Sequence, residues 1–124
     1  TLSGNPVAMA AGLVNCKKLT PEAYQKLEKY SEAVVSLMQD WMNKNGFEDY
    51  QIVRYGSLFY PIPTKKKLVS INALPTNMGD RFKLLFEKFL NKGIYLAPNG
   101  YEVGFASLAH DERVQEELKK RLWS

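Results

Sequence analysis

TPEAYQKLEKYSEAVVSLMQDWMNKNGFEDYQIVRYGSLFYPIP, residues 20–63, contains a change of hydrophobic period that sets the fold class. Thr20 is a capping residue, Pro21 suits the first helical position, and Glu22 places an acid in the first turn, where the helix dipole favours it. Leu27, Tyr30, Val34, Leu37, Met38 and Trp41 then recur three and four residues apart, on one face of a helix that Asn45-Gly46 stops. Beyond the stop the period shortens. Ile52, Val53 and Tyr55, then Leu58, Phe59, Tyr60 and Ile62, form short β-branched and aromatic runs around Gly56, bounded by Pro61 and Pro63. That pattern predicts two short strands or one bent one.

Toward the N-terminus, Asn5 can cap and Pro6 can open a helix in which Val7 to Val14 is apolar or small on every side. Such a helix calls for burial all round, and its small residues permit close backbone approach. Thr1 is not preceded by an initiator Met, and the helix pattern starts almost at once, which predicts a chain cut from something longer. Toward the C-terminus, Leu68-Val69-Ser70-Ile71 reads as a further strand and residues 72–79 as a loop. Asp80 is read as the cap of a helix with a stripe of Phe82, Leu85, Phe86, Phe89 and Leu90, ended by Lys92-Gly93. Ile94-Tyr95-Leu96 reads as a strand, Pro98-Asn99-Gly100 as a turn and Val103 to Leu108 as a second strand. Asp111 then starts a closing helix with Val114, Leu118 and Leu122 on one face. The order predicts an α+β fold, a small and mainly antiparallel sheet with helices packed on one face.

A chain of 124 residues, 45% hydrophobic and 24% charged, has room for one globular core and not for a second full domain. No stretch approaches the roughly 18 to 20 apolar residues of a membrane span, and the start lacks the basic-then-apolar layout of a signal peptide. One Cys forbids an internal disulfide and a multi-cysteine zinc site, so a reducing, cytoplasmic setting is expected. The net charge of +4 owes three of its units to Lys65, Lys66 and Lys67, which read as a solvated loop between two strands. That run alone gives little footing for nucleic acid.

The candidate chemistry is sparse. Cys16, near a helix end that raises rather than lowers a thiol pKa and far from any His in sequence, reads as a buried or half-buried structural residue. His110, the only histidine, reads as a structural or helix-start contact, and no metal site is expected. Phe59, Tyr60, Phe82, Phe86 and Phe89 read as core, while Tyr95 and Tyr101 flank a turn. Glu102 sits between that turn and an apolar, Gly-containing strand, so it is either a surface acid at a strand edge or a carboxylate facing a pocket. At the other end, Thr1, Ser3 and the N–H groups opening the Asn5-Pro6 helix gather donors at a positive helix end. Such a cluster either caps the helix and no more, or holds a phosphate.

T-L-S-G-N-P-V-A-M-A-A-G at residues 1–12 and G-I-Y-L-A-P-N-G-Y-E-V-G-F-A-S-L-A-H at residues 93–110 closely resemble the C-terminal part of the glutamate-1-semialdehyde 2,1-aminomutase family, class III, fold-type I aminotransferases that use pyridoxal phosphate. The first stretch occurs widely in class III; the second is the more specific. The resemblance implies that residues 1–124 are the C-terminal small domain of such an enzyme, with residues 1–19 as the linking segment and helix. It implies pyridoxal 5′-phosphate and pyridoxamine 5′-phosphate as cofactors, and conversion of glutamate-1-semialdehyde to 5-aminolevulinate for tetrapyrrole synthesis. A small-molecule substrate, a cytoplasmic homodimer, and neither nucleic acid nor membrane as partner belong to the same expectation. Thr1 matches the family's threonine that reaches the cofactor phosphate of the neighbouring subunit, and Glu102 matches the acid near the substrate amine. The family's Schiff-base lysine lies in the large domain before this segment, and no lysine here has its context. The resemblance therefore assigns no catalytic residue to this chain and implies that it is inactive by itself. Two alternatives are another class III aminotransferase and a free-standing basic α+β binding module.

Overall fold

A computed structural model describes residues 3–124, which form four α-helices, a three-stranded sheet and one 3-10 turn. Helix α1 spans Pro6–Lys18, α2 Pro21–Lys44, α3 Met78–Asn91 and α4 Glu112–Trp123. Strands β1 (Gln51–Tyr55), β2 (Leu58–Ile62) and β3 (Gly104–Phe105) are antiparallel in the order β1-β2-β3. This is the expected α+β layout. Tyr55 pairs with Leu58 across a two-residue turn, and Gly56 alone of the turn residues takes a positive φ, +57°, as a type II′ turn requires at its first position. Strand β3 reaches only Leu58 and Phe59, so Pro61, which has no N–H to give, lies beyond the second ladder.

The caps explain where the helices begin. Thr20 Oγ1 accepts from Ala23 N–H at 3.3 Å, and Asp111 Oδ1 from Val114 N–H at 3.1 Å. The core lies where α2, α3 and α4 meet the sheet. Val34, Met38, Trp41 and Met42 of α2 pack with Phe82, Leu85 and Phe89 of α3, Leu122 of α4 and Phe59 of β2. Trp41 and Phe89 meet in a tilted pair at 5.1 Å between ring centroids, and Phe47 meets Tyr50 edge-on at 5.3 Å.

Several expectations are corrected. Helix α1 buries no residue: Val7 is 78% exposed and Met9 63%, because none of the described residues packs against them. Cys16 is exposed with the rest of α1 rather than buried. Residues 68–70 form no strand, and Ile71–Ala73 is a 3-10 turn. Val69 and Ile71 are exposed, and none of the described strands pairs with residues 68–71. Lys65–Lys67 therefore lie in an exposed irregular segment after β2 rather than between strands, tied down where Gln51 Nε2 donates to the carbonyls of Thr64 (2.6 Å) and Lys66 (2.8 Å). Helix α3 starts earlier than expected, with Asn77 as its N-cap and Asp80 in its first turn, where the carboxylate faces the positive helix end. Ile94-Tyr95-Leu96 is not a strand. Its inward-outward alternation is real, but no strand lies alongside, and the Ile94 N–H is spent on Phe89 O at 2.9 Å, closing the end of α3. Only Gly104–Phe105 of the expected Val103–Leu108 strand pairs.

Candidate functional site

Residues 98–105 carry Glu102 between two glycines whose lack of a side chain fixes the path of the backbone. Gly100 is buried, and a Cβ there would stand 2.7 Å from Phe82 Cβ and 3.0 Å from its Cγ. At Gly104 a Cβ would fall against the Phe59 ring, 2.9 Å from the farthest of three ring carbons. Neither glycine has a positive φ, so close approach rather than backbone conformation demands them. Between them the chain turns tightly. Glu102 N–H donates to Asn99 O at 3.1 Å, and Tyr101 N–H to Asn99 Oδ1 at 3.0 Å, the side-chain mimic of a turn. Tyr60 of β2 donates its hydroxyl to Gly100 O at 2.9 Å and also lies 3.7 Å from Met78 Sδ. Burial pushes the Tyr60 phenol above its ordinary pKa, and the neighbouring Tyr101 adds to the push.

Glu102 itself is exposed and rims an apolar dimple of about 20 Å³ lined by Phe59, Pro61, Phe82, Leu96, Ala97 and Gly104. It is thus a surface carboxylate beside a small concavity. Tyr95 and Tyr101 are exposed beside it, at 71% and 59%. Tyr60, read from sequence as core, is the residue whose role the sequence reading missed. The signal was the two-residue period of β2, in which the half-buried Leu58 and Tyr60 alternate with the buried Phe59.

Thr1 lies outside the described residues. Downstream of it, Asn5 Oδ1 accepts from Val7 N–H (3.0 Å) and Ala8 N–H (3.2 Å), Met9 N–H donates to Asn5 O (2.9 Å), and Pro6 has no N–H. The expectation of free N–H groups at the start of α1 is therefore corrected: the helix's own cap has used them. Elsewhere, His110 stacks on Tyr30 at 5.8 Å and accepts from Ser107 N–H at Nδ1 (3.0 Å), a structural contact at the start of α4. It lines an open groove with Lys26, Lys29 and Arg113. Among the described residues no three His, Cys, Asp or Glu side chains are grouped to hold a metal, and no helix is long and apolar enough to cross a membrane.

No protein-family model matches the chain. Curated proteins do. A glutamate-1-semialdehyde 2,1-aminomutase of Bdellovibrio bacteriovorus is 41% identical over 119 residues, 94% of this chain and 28% of its own length. The aminomutase of the same name from Leptospira interrogans is 37% identical over 116 residues, 92% of this chain and 26% of its own. The chain matches the C-terminal region of these proteins and spans between a quarter and a third of their length. Among solved structures, one described as a transaminase with PLP bound superposes with a TM-score of 0.72 at 24% identity, over 95% of this chain and 26% of its own. An omega-transaminase from Sphaerobacter thermophilus gives 0.71 at 22% identity, over 97% of this chain and 28% of its own. A β-phenylalanine aminotransferase from Variovorax paradoxus gives 0.66 at 26% identity, over 85% and 24%. The sheet and its flanking helices have the topology of the small C-terminal domain of fold-type I pyridoxal-phosphate enzymes.

Proposed function

We propose that this chain, matching the C-terminal region of glutamate-1-semialdehyde 2,1-aminomutase along nearly all its length, is the small domain of such an enzyme, with residues 1–19 as the segment and helix that join it to the rest. The protein carrying it would convert glutamate-1-semialdehyde to 5-aminolevulinate as a cytoplasmic homodimer. The observation that supports this most is the 41% identity extending over 94% of the chain.

The cofactor, when bound, supplies the electron sink for the nitrogen transfer. The dimple beside Glu102, at about 20 Å³, has room for about one water and not for a pyridine ring. This dimple thus does not cradle the cofactor on its own, and the reading gives the residues around it a flanking part. Glu102 keeps its carboxylate at the surface, where it can accept N–H bonds from a substrate ammonium or amine and assist a proton transfer there. Thr1 would offer its hydroxyl to the cofactor phosphate of the neighbouring subunit. The Val7 and Ala8 N–H groups are committed to Asn5, so α1 would add the field of its positive end rather than those donors.

The test is release of 5-aminolevulinate from glutamate-1-semialdehyde by the protein that carries this chain. Glu102→Gln should lower kcat on the order of 10²-fold with the bound-cofactor spectrum unchanged. Amino transfer to a keto acid with no 5-aminolevulinate formed would replace the reading with that of another class III aminotransferase. The 124 residues alone should not turn over, and a specific, stoichiometric adduct with pyridoxal phosphate on them would overturn the flanking role.

A further inference from the structure

Residues 94–103 belong to no strand or helix, so the position of Glu102 is set by what fastens its turn to the sheet. Within the turn, the two bonds to Asn99 make residues 99–102 move as a unit. That unit rests on Phe82 of α3 through the bare Cα of Gly100, a contact that blocks motion toward the helix and leaves motion away from it free. Among the described residues, its hydrogen bond to another element is the one Tyr60 donates to Gly100 O. Tyr60 comes from β2, the central strand, held on both sides by ladders.

We propose that Tyr60 is a positioning residue for Glu102: its hydroxyl, anchored on the central strand, holds the Gly100 carbonyl and so sets the angle at which the turn presents the carboxylate two residues on. The inference rests on the reading of Glu102 given above. Burial keeps the phenol protonated, so it remains a donor through the neutral and mildly alkaline range.

The protein carrying this chain is compared as wild type, Tyr60→Phe, Glu102→Gln and the double variant. Tyr60→Phe keeps the ring and removes the donor. It should lower kcat about tenfold, as a displaced reacting group does, with little change in KM. In the Glu102→Gln background the same change should have no further effect. Independently of turnover, amide hydrogen exchange at residues 100–102 should quicken about tenfold in Tyr60→Phe, as expected for one lost neutral hydrogen bond, while α2 and α3 exchange as before. Equal losses of turnover in both backgrounds would overturn the proposal by showing an effect that does not pass through Glu102. Unchanged exchange at the turn would overturn it by showing that the tether carries no load. Turnover untouched by Glu102→Gln would sink the reading of Glu102 and this role with it, and the exchange data would then show whether the tether exists in its own right.

Discussion

Gly104→Ala isolates the closest approach between the strand after Glu102 and the core. Its backbone is not left-handed, so alanine meets no conformational penalty, and the substitution should even gain about 0.4 to 1 kcal/mol from a less entropic unfolded chain. Against that gain, the new Cβ stands 2.9 Å or less from three carbons of the Phe59 ring, where carbon atoms prefer about 3.5 to 4.0 Å. Roughly 1 Å of movement is needed. Phe59 is 8% exposed and packed into the α2–α3 cluster, so the ring has little room to yield, and lifting β3 instead would strain the Ala106 N–H bond to Ser57 O. Overpacking of this kind costs about 1 to 3 kcal/mol. The net loss is between about 0 and about 2.6 kcal/mol, or up to roughly 10 °C in Tm for a chain of this size. Urea unfolding followed by tryptophan fluorescence should show a lower midpoint with the slope unchanged. The diagnostic arm repeats the substitution in a Phe59→Leu background, where the loss should shrink because the obstructing ring is gone. A higher midpoint for Gly104→Ala, or the same loss in both backgrounds, would refute the steric argument.

Three further outcomes follow from the packing and the caps. Phe89→Ala, at a fully buried ring against Trp41, should cost about 3 to 5 kcal/mol, whereas Leu84→Ala on the exposed side of the same helix should stay within about 0.5; equal losses in urea unfolding would contradict the assigned core face. Asp111→Ala should cost about 1 kcal/mol through the lost N-cap of α4, and Asp111→Asn should restore most of it; a neutral alanine variant would show that the cap adds nothing. Burial raises the phenol pKa of Tyr30, Tyr50 and Tyr60 above the ordinary 10. The folded chain then holds more protons than the unfolded one from about pH 10 up to the raised values, so stability is full below pH 10 and falls as pH rises through that window. Urea midpoints that climb between pH 9 and pH 11 would reverse the sign.

The parts of the fold legible in the sequence are those whose signal is local. Thr20-Pro21-Glu22 and Asp111 cap helices as their chemistry predicts, and Gly56 turns the hairpin. The parts that were misread depend on neighbours distant in sequence. Ile94-Tyr95-Leu96 alternates like a strand but has no strand beside it, and Leu68 to Ile71 is β-prone in composition but pairs with none of the described strands. Asp80 suits a cap by its side chain, but the helix begins three residues earlier than that cap implies, at Met78, which is buried, while Asn77 at the cap position makes no side-chain capping bond. At the candidate site, the two glycines around Glu102 were visible as letters, but their purpose came from Phe82 and Phe59, which lie elsewhere in the sequence. The burial expected of α1 follows from its composition and is not met among the described residues.

That helix has a practical consequence. Val7, Met9, Leu13 and Val14, exposed on a helix that buries no residue, make the free-standing chain adhesive: it should cling to chromatography resin, to chaperones and to other copies of itself. A shortened version starting at Thr20 would keep the Trp41–Phe89 interior and the whole sheet while shedding that stickiness, and would be the tractable material for spectroscopy of the Glu102 turn.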